Sequence, residues 1–165
     1  VSRLYLAVVG GGGGVPAPTL ARAEEVGRAV AEAGAVLVCG GLGGVMEAAC
    51  RGAQRAGGLT LGILPGRDRA EANAHVDVAV PTGLGEARNA LVVHAADAVV
   101  AVAGEYGTLS EIALALQAGI PVVGLDTWEL ARGGDTVDTV VRADTPAQAV
   151  ELAVGLARAA RPSGP

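Results

Sequence analysis

Six short apolar runs, separated by helix-forming sequence, constrain this chain more than any other feature. They are LYLAVVG (Leu4–Gly10), AVLVCGG (Ala35–Gly41), LTLGILP (Leu59–Pro65), VDVAVPTG (Val76–Gly83), AVVAVAG (Ala98–Gly104) and PVVGLDT (Pro121–Thr127). Most are continuous rather than alternating, the pattern of strands buried on both faces of a parallel sheet. Helices are expected at Pro16–Ala33, Val45–Ala56, Glu86–Ala96 and Thr108–Ala118, and from Pro146, where Thr145 caps and Gln148 closes a capping box. Strands alternating with helices give an α/β fold. The expectation is a single doubly wound, Rossmann-like domain over residues 1–160, with a mainly parallel sheet of 6–7 strands. WELARGGDTVD reads as a loop and residues 161–165 as a frayed tail.

Such sheets bind ligands beyond the carboxyl ends of their strands. The glycines gather there, at Gly10–Gly14, Gly40–Gly44 and Gly104–Gly107. The dinucleotide fingerprint G-x-G-x-x-G is not met, because Val15 stands where the third glycine belongs, and the second strand ends in Cys39-Gly40 without an acidic residue. A standard nicotinamide or flavin site is therefore not expected. Gly10 and Gly11 serve either a flexible turn or ligand contact. GGLGGVMEAAC, with Gly40, Gly41, Gly43, Gly44 and Met46, brings bare backbone to a helix N-terminus. That suits an anion, or equally tight strand-to-helix packing.

Two charged residues stand out against this apolar background. In AGEYGTLSE, Thr108 and Glu111 fit a T-x-x-E capping box. With Leu109, Ile112, Ala113 and Leu116 as the core-facing stripe, Glu111 falls on a flank toward the mouth of the turn, free to cap and to face a ligand. Arg88 lies in GEARNALVVHAAD, a helix apolar nearly all round, which suggests burial or an oligomer interface. It either snorkels to water or grips a phosphate or carboxylate with its planar fork.

Composition excludes several function classes. All twelve basic residues are Arg, so neither a phosphate-loop lysine nor a lysine Schiff base is available. A net charge of −5, no basic run and no aromatic platform argue against nucleic acid. His75 and His94 lack metal-ligand spacing, so no metal and no bound cofactor are expected. Cys39 and Cys50 read as packing residues rather than a disulfide. No apolar stretch approaches the ~18 residues of a membrane span. A cytoplasmic protein, homodimeric or of higher order, is expected.

With these residues in view, the chain resembles the Lonely Guy-like superfamily, often labelled lysine decarboxylase-like. It is most similar to the molybdenum-cofactor-carrier-like branch of small bacterial nucleotide-binding proteins. VCGGLGGVMEAACRGAQRAGG, GILPG, VPTGLGEARNALVVHAADAVVAVAG and YGTLSEIALALQAGIPVVGL carry the resemblance. The superfamily motif is P-G-G-x-G-T-x-x-E, with a functional Arg on the preceding helix. The resemblance implies that Gly104, Gly107 and Thr108, with Glu105 and Tyr106 in the same turn, hold the 5′-phosphate of a nucleotide. It implies that Arg88 and Glu111 act on the N-glycosidic bond. Ala103 replaces the motif's proline and Glu105 its second glycine, and Asn89 stands where the hydrolases carry a second basic residue. The decarboxylase label fails for want of a lysine.

Two functions follow. One is a nucleotide-binding protein that hydrolyses the N-glycosidic bond of a nucleoside 5′-monophosphate. The other is a non-catalytic carrier or sensor of a nucleotide or of molybdenum cofactor. Both need a small phosphorylated ligand at the glycine turns.

Overall fold

The computed structural model describes residues 2–137 and 139–161. Its strands are β1 (Tyr5–Gly10), β2 (Val36–Cys39), β3 (Thr60–Leu64), β4 (Val78–Pro81), β5 (Ala98–Val102), β6 (Val122–Leu125), β7 (Leu130–Arg132), β8 (Asp135–Val137) and β9 (Val140–Ala143). The helices are α1 (Ala17–Glu32), α2 (Val45–Arg55), α3 (Asn89–His94), α4 (Tyr106–Gln117) and α5 (Pro146–Ala160). Seven strands form one parallel sheet in the order β4-β3-β2-β1-β5-β6-β9. The fold is Rossmann-like, as the apolar runs require. The chain reverses direction across the sheet between β1 and β5, where such folds open a crevice.

Alternate strand residues feed two cores. Leu6 and Val8 pack with Val26, Ala48 and Ala149 under α1, α2 and α5. Ala7 and Val9 pack with Val92 and Ile112 under α3 and α4. Small residues make this close packing possible. A methyl group on Gly27 or Gly52 would strike the backbone of the facing helix, so α1 and α2 meet almost backbone to backbone.

Several local expectations are corrected. The segment read as a loop after Trp128 contains the antiparallel hairpin β7–β8, with Leu130 opposite Val137. Gly133 (φ 60°) and Gly134 (φ 92°) supply the two left-handed residues of its tight turn. A seventh sheet strand, β9, escapes notice because its edge position leaves Val141 and Arg142 exposed. The Glu86–Ala96 helix is a 3₁₀ turn, Gly85–Arg88, continued by α3, and Leu91 and His94 face outward. Thr145 caps α5 through Gln148 N–H as expected, while the Gln148 amide accepts from Asp144 N–H. Of the expected tail, Arg161 is tied to Asp97 and Ser2, and residues 162–165 lie outside the described residues.

Candidate functional site

The turn between β5 and α4 departs from the expected capping box. Ala103 (φ 47°) and Gly104 (φ 99°) swing the chain out of the sheet, and Glu105 becomes the N-cap. The first helical bond runs from Leu109 N–H to the Glu105 carbonyl. The helix therefore starts two residues before Thr108, and Glu111 caps nothing. The core-facing stripe is Thr108, Glu111, Ile112 and Ala115, and Ala113 is exposed. Glu111 thus points inward, near the amino end of the buried face of α4. The exposed Glu105 side chain makes no capping bond. Tyr106 is 78% exposed, and Gly107 has open space around it.

Glu111 is only 8% exposed and Arg88 only 7%. Burial pushes the Glu111 carboxyl up to about 7, with the charge of Arg88 pulling the other way. Desolvation lowers the Arg88 guanidinium, and the charges of Glu111 and Cys39 oppose that. No ion pair among the described residues joins Arg88 to Glu111. Arg88 Nε is buried without a hydrogen-bond partner. An uncompensated buried charge costs several kcal/mol, so this guanidinium does not serve stability.

Arg88 lies flat against the second glycine loop. A methyl group on Gly40 would collide with its terminal nitrogen, which is why that position is bare. Gly41 (φ 75°) turns the chain, and its N–H donates to Cys39 Sγ at 3.3 Å. Cys39 and Cys50 are free, buried thiols with Sγ atoms 3.4 Å apart.

The first two glycine loops lean on each other. Val45 N–H donates to the Gly11 carbonyl at 2.9 Å, and a side chain on Gly44 would strike the same carbonyl. Gly10 is squeezed between Val45 and the Val102 carbonyl, so its glycine serves packing. A methyl on Gly43 would come 3.1 Å from the Gly12 carbonyl, and one on Gly12 would come 3.5 Å from Met46 Cε. Asn89, half-buried, opens α3 directly after Arg88. The structure thus brings the sequence-predicted residues to one edge of the sheet.

Sequence reasoning missed the neighbours after β6. Thr127 Oγ1 donates to the Ala103 carbonyl at 2.6 Å, and Trp128 Nε1 to the Glu105 carbonyl at 3.3 Å. The Trp128 ring lies 5.7 Å from that of Tyr106. A lone Trp just past a strand's carboxyl end was the available signal.

The model of the SLOG cluster4 family matches residues 3–150. An uncharacterized protein of Archaeoglobus fulgidus is 50% identical over 103 residues, which are 62% of this chain and 68% of that protein. The solved molybdenum cofactor binding protein of the phototrophic bacterium Rippkaea orientalis is 37% identical, with a TM-score of 0.85 over 94% of this chain and 98% of that one. The Moco carrier protein of Chlamydomonas reinhardtii is 35% identical, with a TM-score of 0.83 over 96% and 99% of the two chains. The resemblance read from the motifs is borne out.

Proposed function

The chain belongs to the SLOG cluster4 family, and on that premise we propose that it binds a phosphorylated small molecule at the carboxyl edge of its sheet and carries it. The observation that carries this reading is Arg88, buried, charged and with Nε unpartnered. Its anion is a phosphate received by the N–H of Gly104 in the turn and by the first N–H groups of α4 at Gly107 and Thr108, where the helix dipole adds its attraction. Gly40, Gly41, Gly43 and Gly44, backed by Gly10 and Gly11, form the facing wall. Met46 and Asn89 complete this proposed site. Glu105, exposed at the rim, leaves the cradle free of its charge. The solved relatives with the names molybdenum cofactor binding protein and Moco carrier protein support a phosphorylated pterin of that kind as the cargo.

Glu111 supports a second reading, hydrolysis of a nucleoside 5′-monophosphate at its N-glycosidic bond. A carboxyl poised at about 7 suits proton transfer near neutral pH, and its ionised form stabilises a ribosyl cation. Exposed Leu84 and Leu91, with Val78 and Val80 on edge strand β4, support pairing with a second copy. The buried free thiols suit a reducing, cytoplasmic setting. Among the described residues no helix is long and apolar enough to cross a membrane.

The test is calorimetric titration with inorganic phosphate and a panel of nucleoside monophosphates, with chromatography for released base. Binding without base release is expected. Base release that Glu111→Gln abolishes would install the hydrolase reading. No binding at millimolar concentration would end both.

A further inference from the structure

The anion turn has a second side. In the sheet order β5 stands between β1 and β6, so the turn after β5 separates Arg88, lying against the end of β2, from Trp128, just past β6. On that far side the end of β6 and the β7–β8 hairpin enclose a cavity of about 240 Å³. Trp128, Leu130, Val137 and Val140 give it apolar walls, and Asp126, Thr127 and the ion-paired Glu129 and Arg142 give it polar ones. An engineered apolar cavity of about 150 Å³ already accepts a benzene ring.

This cavity is fastened to the anion turn. Thr127 and Trp128 line it and hydrogen-bond the carbonyls of Ala103 and Glu105. Ala103 (φ 47°) and Asp126 (φ 51°), just past paired ends of β5 and β6, are both left-handed without being glycine. Such residues are uncommon and gather at ligand sites. The turn and the cavity wall are built as one unit.

The geometry points to a second ring subsite in this cavity, so that the ligand's phosphate is a bridging one. It is a diester or pyrophosphate, with one group directed to Arg88 and Glu111 and a planar heterocycle against Trp128. The Asp126 carboxylate, ion-paired through Oδ2 with Arg22 at 3.0 Å, accepts at Oδ1 from a ring N–H or a sugar hydroxyl. This rests on the phosphate reading above and narrows its ligand class to dinucleotide-like molecules. It also puts the acidic residue at the end of β6, not at the end of β2 where the standard dinucleotide fold carries it.

Trp128 is the sole tryptophan of the chain, so its emission reports on the cavity. The probes are inorganic phosphate, AMP and diadenosine diphosphate, each titrated by calorimetry and by fluorescence. Diadenosine diphosphate is expected to bind about tenfold more tightly than AMP, the worth of one stacked base. It alone should quench Trp128. Val140→Phe, which fills the cavity, should erase the quenching and the tenfold gain and leave AMP binding unchanged. Thr136→Phe, from the hairpin side, makes the same test if Val140→Phe does not fold. Equal affinity for AMP and the dinucleotide, quenching by AMP alone, or a gain that survives the filled cavity would overturn the second subsite. Failure of phosphate, AMP and dinucleotide alike would instead remove the phosphate reading beneath it.

Discussion

The two ends of the same sheet treat an arginine and a carboxylate in opposite ways. At the amino ends, Arg161 grips Asp97 through Nε at 3.1 Å and Nη2 at 2.8 Å, and reaches Ser2 with Nη1. Asp97 also accepts from Tyr5 N–H at 2.8 Å, so its carboxylate is well satisfied. At the carboxyl ends, Arg88 and Glu111 are more deeply buried and, among the described residues, not ion-paired. A fold that can make the first arrangement leaves the second open at the edge where we propose that ligand is received. Desolvated charge without a partner gathers at functional sites, which is why the second pair carries the proposed function.

Exchanging the arginines tests that contrast most severely. Arg88→Met is expected to weaken phosphate binding about a thousandfold, the usual cost of removing one partner of a desolvated charge pair. The thermal midpoint should hold or rise, since an uncompensated charge leaves the interior.

Glu111 comes next. Its folded-state value of about 7 lies above the ordinary 4.5. Between these values the unfolded chain has released the proton that the folded chain retains. Stability therefore falls as pH rises from 4.5 to 7, by about 3 kcal/mol in all. Glu111→Gln should flatten that dependence in denaturant titrations across pH and leave the variant the more stable at pH 7. A pH dependence that persists in the variant would assign it to another group.

Arg161→Met should show the reverse of Arg88→Met: about 2 kcal/mol of stability lost by chemical denaturation, and phosphate affinity unchanged. This figure is discounted for side chains that remain 32% and 24% exposed. Smallest is Gly40→Ala, whose methyl displaces the Arg88 guanidinium. Affinity should drop about tenfold in the same titrations, for a stability change below about 1 kcal/mol.

The site was only partly legible in the sequence. Arg88 stood out because a lone charge in an apolar helix needs an explanation, and the glycines because they cluster after strands. Glu111 was legible as a residue and misread as a cap. The T-x-x-E signature is local, and it holds only if the helix begins at Thr108. Trp128 and Asp126 carried no motif, and their meaning depends on β6 lying beside β5.

What the sequence determined by itself was the layering: unbroken apolar runs can be satisfied only between two layers of helices, with glycines gathered at their carboxyl ends. Tertiary structure decided which charges were left unpaired. The left-handed turn at Ala103-Gly104, pinned by Thr127 and Trp128 from the next strand, started α4 early and rotated Glu111 from a flank into the interior. A helix's register on a sheet is fixed by contacts distant in sequence, and a one-turn signature does not contain them.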